Sequence, residues 1–194
     1  MDAMSPHSTG YRREVLAEIQ FAEKQLMALA AAVPAEDYGW SPAEGARSFA
    51  AVLVHVAASN LLLLDRAGAK PPDVADLYGG IEGDPPIRLT RMMRKNMELE
   101  QTIAGKAAVI DLLARSFAAV KQCWTTASEA ELWVTGNFLG EIETVRRIYL
   151  RILAHTHEHM GQAIAYVRTM GYHVPWPDPL KKLEEVEAAL AAAH

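Results

Sequence analysis

Residues 141–171 read EIETVRRIYLRILAHTHEHMGQAIAYVRTMG. No proline interrupts the stretch, and Gly161 is its one weak point before the end. Apolar residues recur at Val145, Ile148 and Ile152, then at Ala163, Tyr166 and Met170. Those three- and four-residue steps trace one face of a helix. At 1.5 Å per residue the helix would reach roughly 45 Å, the length of a full strut in a helical bundle. Gly171 is a natural C-terminal cap, and Pro175 and Pro177 forbid continuation. Midway, the stripe skips its expected positions, and His155 and His159 stand there instead. Four residues apart, they sit one turn from each other on the inward face. His157, about 200° round from His155, faces outward.

The rest of the chain has the same period. Val15, Ile19, Ala22, Leu26, Leu29 and Val33 mark a helix over 11–33, ended by Pro34. A second runs from Ser48, a plausible N-cap, to about Arg66, and is apolar almost all the way round, as a buried helix is. Residues 68–86 are rich in Pro and Gly and read as a long crossover connection or a cover over a site. A short helical piece, LTRMMRKNMELEQ, follows. Val109, Leu113, Phe117, Val120 and Trp124 mark a third long helix, residues 125–140 a further connection, and LKKLEEVEAALAAAH a last amphipathic segment. Four long helices without strand alternation predict an all-α four-helix bundle with a long crossover loop and an extra C-terminal helix. The expected organisation is one domain over 1–194, its core about 11–177 and its extension 178–194.

Composition narrows the function. The 194 residues are 51% apolar, enough for a core. Nineteen Lys and Arg against 24 Asp and Glu, with no basic block, argue against nucleic-acid binding. The longest apolar run, 49–64, is short for a membrane span and carries His55, Ser59 and Asn60. The N-terminal MDAMSPHSTGYRRE has no apolar leader core. One cysteine, Cys123, permits no intrachain disulfide. A cytoplasmic protein that binds neither membrane nor nucleic acid is expected.

Two inward imidazoles in a bundle core need polar partners. A divalent ion satisfies both, and an i, i+4 His pair is a standard geometry for one. The third ligand must come from another helix, and His55, in the middle of the most buried helix, is the candidate. The bland alternative is three hydrogen-bonded neutral histidines packed in the core. Three neutral ligands leave the ion its full charge and leave coordination positions open for a water or a thiolate, the catalytic arrangement rather than the closed structural one. Imidazoles suit Zn, Ni and Fe alike. Gln162, three residues past His159, is placed to orient a ligand; Asn60, five past His55, is a supporting candidate; Trp40 is placed to roof the pocket. No residue reads as a general base, so catalytic residues beyond the metal ligands are not expected. HExxH, Glu-x-x-His, GxSxG, Walker and dinucleotide motifs are all absent.

LRILAHTHEHMGQAIAYVRTMGYHVPWP resembles the final helix of the DinB/YfiT-like metalloenzyme family. The matching positions are His155, His159, Gly161, Gln162, Tyr166, Arg168, Gly171 and Pro175. VPAEDYGWSPAEGARSFAAVLVHVA resembles the family's second signature, a Trp-Pro turn (Trp40, Pro42) leading into the helix of the first metal histidine, here His55. The resemblance covers about residues 11–177. It implies a four-helix bundle with a three-His metal site, often homodimeric. It also implies a thiol transferase-like activity on a small electrophile, with a low-molecular-weight thiol such as bacillithiol or mycothiol. A non-catalytic, metal-stabilised dimeric binding or stress-response protein is the alternative. An open coordination position beside a solvent-connected pocket separates the two.

Overall fold

The structure is a computed structural model that describes residues 6–69, 71, 75–138 and 140–192. His194 and the first five residues of the N-terminal stretch read above lie outside the described residues. Helix α1 spans Pro6–Ala32, α2 Phe49–Arg66, α3 Ala75–Tyr78, α4 Pro85–Thr102, α5 Lys106–Thr126, α6 Glu129–Leu132, α7 Val145–Thr169 and α8 Pro179–Ala192. Between α6 and α7 stands a hairpin, β1 Thr135–Phe138 against β2 Glu141–Thr144. It is antiparallel, with Thr135 opposite Thr144 and Phe138 opposite Glu141.

The four long helices α1, α2, α5 and α7 form the bundle, and α2 packs against α4, α5 and α7. The stripe of α1 is buried from Val15 to Val33, as is that of α5 from Val109 to Trp124. Thirteen residues of α2 are buried, which explains its all-round apolarity. By length and composition α2 could cross a membrane, yet 72% of its apolar window is covered by the surrounding helices. Tyr38 closes one end of the core, its hydroxyl donating to the Ala30 carbonyl at 2.5 Å. Trp124 closes another part, donating through Nε1 to the Arg12 carbonyl at 3.0 Å.

Element ends follow local chemistry. Ser48 caps α2 by accepting from the Ala51 amide at 3.1 Å. Gly171, at φ +87°, follows α7; the Gly171 amide reaches the Arg168 carbonyl and the Tyr172 amide the Val167 carbonyl, both at 3.0 Å. That pair of bonds is a Schellman cap, which needs the left-handed conformation glycine allows.

The structure differs from the sequence reading in two places. Residues 141–144 are strand, and α7 starts only at Val145, where the Thr144 hydroxyl accepts from the Arg147 amide. The crossover loop is shorter than expected, because α4 begins at Pro85 and runs 18 residues. Its two leading prolines start a helix rather than break one, since the first helical N–H groups have no partner to lose. This fifth sizeable helix docks on α2, and Arg88 grips Asp65 through Nη2 at 2.6 Å and Nε at 2.9 Å. Helix α8 carries no buried residue.

Candidate metal centre

α2 and α7 cross so that His55 meets His155 and His159. Ring centroids stand 5.0 Å apart for His55 and His155, and 4.6 Å apart for the other two pairs. One nitrogen from each ring lies within 4.8 Å of the other two, and no fourth His, Cys, Asp or Glu joins the group among the described residues. His157 is exposed, with Nδ1 on the Leu153 carbonyl at 2.9 Å. His173 is exposed at the far end of α7.

Each ring has its own surroundings. His55 Nδ1 lies 2.7 Å from Glu100 Oε1, and Arg47 Nε donates to Glu100 Oε2 at 2.6 Å. A carboxylate only accepts, so His55 donates through Nδ1 and keeps a lone pair on Nε2. His159 Nδ1 lies 2.8 Å from Gln162 Oε1, and Gln162 Nε2 donates to the Tyr166 hydroxyl at 2.9 Å. His159 is thereby fixed in the same tautomer, Nε2 free. His155 Nδ1 is buried with no hydrogen-bond partner.

Burial favours the neutral form of His155 and His159. Burial, and then the neighbouring His159 and His55, push His155 down to about 4. Burial pushes His159 down as well, against an opposing pull from Gln162. For Glu100, burial raises the carboxyl, but the hydrogen bonds from His55 and Arg47 outweigh it and hold it below the usual range. Three imidazoles with one nitrogen each drawn together, one ring also carrying an orphaned buried nitrogen, are a poor hydrogen-bonded core and a good cation site. The donor set fits a divalent ion of the borderline kind.

A pocket of about 640 Å³ opens to solvent beside the cluster, walled by α2, α4, α7, Phe138 of the hairpin and residues 45–48. His55, His155 and Glu100 line it, whereas His159 does not. Trp40 is not part of the lining; it packs edge-on against Tyr166 at 5.3 Å and so supports Gln162 and His159 from behind. Asn60 is fully buried and turned toward α5, its Nδ2 3.4 Å from Ser116 Oγ. Sequence reasoning misses Glu100 and Arg47. The available hint was Glu100 standing eight residues after the core-facing Met92, two helical turns along α4.

Residues 18–163 match the DinB superfamily. The chain belongs to that family. Its fold is also that of a solved relative, a DinB-like protein from Bacillus cereus ATCC 10987. The two share 14% identity over 84% of this chain and 95% of the other, with a TM-score of 0.64. No curated protein matches the chain. The family match ends at 163, so α8 lies beyond it.

Proposed function

We propose that this family member is a metal-dependent enzyme that activates a thiol or a water for attack on a small electrophile. The observation that carries this reading is the three-histidine cluster lying beside a solvent-connected pocket with no fourth protein ligand among the described residues. Trp40 does not plug that pocket, which favours turnover over a closed structural site. His55, His155 and His159 would hold the ion. An ion bound there would supply Lewis-acid activation and a lowered pKa to the attacking group.

The remaining work belongs to the chain. Glu100 holds His55 in the ligating tautomer and adds negative charge behind it, which raises the donor strength of the ring. Gln162, braced by Tyr166 and Trp40, does the same for His159 without charge. Arg47 neutralises the far oxygen of Glu100, so the carboxylate stays aimed at His55. Glu100 also lines the pocket. The apolar wall from α4 and Phe138 excludes water around the electrophile. Family kinship supports a low-molecular-weight thiol as co-substrate and a homodimer.

The test is metal content by mass spectrometry of the untagged protein, wild type and His155→Ala, followed by a thiol–electrophile screen. About one divalent ion per chain, lost in the variant, with thiol consumption by the loaded wild type, supports the proposal. Metal without any turnover returns the chain to the binding-protein alternative, and no metal after Zn or Ni addition removes both.

A further inference from the structure

The apolar lining of the pocket is suited to a particular kind of molecule. Met93 and Met97 of α4 are 51% and 62% exposed, and both line the pocket with Leu62, Leu89 and Phe138. Flexible, polarisable methionines make a wall that adapts to different apolar shapes. The same pocket is lined by two unspent hydrogen-bonding groups. Asn96 is only 7% exposed, and its Oδ1 is taken by the Tyr78 hydroxyl at 2.5 Å. This fixes the amide, and Nδ2 is left with no partner among the described residues on a side chain that lines the cavity. Ser59, on the facing helix α2, also lines the cavity, and its hydroxyl makes no hydrogen bond among the described residues. The two guanidinium groups in the lining are already engaged: Arg47 with Glu100, and Arg151 with both oxygens of Glu158 at 3.0 and 3.1 Å.

We infer that the pocket selects an uncharged, mainly apolar molecule bearing one acceptor oxygen, a ketone-, ester- or amide-like carbonyl, held by Asn96 Nδ2 and Ser59 Oγ with its apolar body on Met93 and Met97. An amide nitrogen only donates, so the partner atom is an acceptor. With both cations paired, a carboxylate or phosphate finds no free counter-charge on this wall. The volume suits a small organic molecule. An analogue lacking the oxygen leaves a desolvated donor unpaired and binds worse. This inference deepens the enzyme reading above, on which it rests for the link between pocket and chemistry, but the binding is measured without the ion.

The experiment uses the full chain, metal-free, with ¹³C-methyl-labelled methionine, titrated with acetophenone and with ethylbenzene, which lacks only the carbonyl oxygen. The methyl resonances of Met93 and Met97, assigned through Met93→Leu and Met97→Leu, should shift with both. Acetophenone should bind about three- to tenfold tighter. Asn96→Leu should bring the two probes level, and Met97→Glu should weaken both. Ser59→Ala, which disturbs no buried contact, is carried in parallel in case the Asn96 variant fails to fold; it should lower the ratio by about twofold. Equal affinities in wild type, shifts confined to other methionines, or a ratio untouched by whichever of the Asn96 and Ser59 variants folds would overturn the inference. No ion is present, so failure here leaves the metal reading intact, and an empty metal assay leaves this one intact.

Discussion

Glu100 meets the cluster through His55, and on the proposed reading it would govern how well that ring serves as a ligand. It supplies the acceptor for His55 Nδ1 and is itself clamped by Arg47. Glu100→Ala should lower zinc affinity by about 10- to 100-fold while the bundle stays folded, as read by competition with a chromophoric chelator. An affinity unchanged by the substitution would mean that His55 needs no support. His155 has a different vulnerability. In the ion-free protein its pKa lies near 4, against an ordinary value of 6.5. Between those values the unfolded chain binds the extra proton, so stability is full above about pH 6.5 and declines as pH falls toward 4. Urea midpoints measured across that range should fall with pH in wild type and flatten in His155→Gln. The histidines were legible because an inward stripe cannot skip two positions without a reason. Glu100 was not, because it reaches the site from 45 residues away and only the docking of α4 on α2 brings it there. Gln162 was legible by its helical spacing from His159. The expected roles of Trp40 and Asn60 depended on directions that a turn and an all-round buried helix do not reveal.

At the scale of elements, periodicity found every long helix and missed the short pieces. β1 and β2 have four residues each, too few to show alternation against a loop background. α4 was truncated by reading Pro85 and Pro86 as punctuation, when the first turn of a helix tolerates both. The Ser48 cap was readable and carries a measurable share of stability. Ser48→Ala should cost about 1 kcal/mol, seen as a lower urea midpoint with unchanged slope. α8 should behave in the opposite way. It buries nothing, so a chain ending at Asp178 should melt within about 2 °C of the full chain and bind metal equally well. A larger drop would show that Leu183 and Val186, exposed here, are covered in solution.

For the whole molecule, three buried phenols weaken the fold at alkaline pH. Burial pushes Tyr38 up to about 12 and raises Tyr78 and Tyr149 as well. The unfolded chain releases these protons near pH 10, before the folded one does, so stability is complete below that pH and falls above it. Circular dichroism should follow unfolding into that range, and the decline in stability above pH 10 should be shallower in Tyr38→Phe. The all-α bundle itself was legible because its four struts are long and their stripes unbroken, whereas their mutual crossing angles, and hence the pocket, belong to packing.

The proposed centre would draw two ligands from one turn of α7 and the third from about a hundred residues earlier in the chain. Closing so long a loop costs an open chain on the order of 4 kcal/mol in entropy, while the His155–His159 pair comes nearly free once α7 has coiled. During refolding, an ion should therefore be caught first by α7 alone and weakly. It should tighten only when α2 arrives, so that the moment of tight capture marks the completion of the bundle.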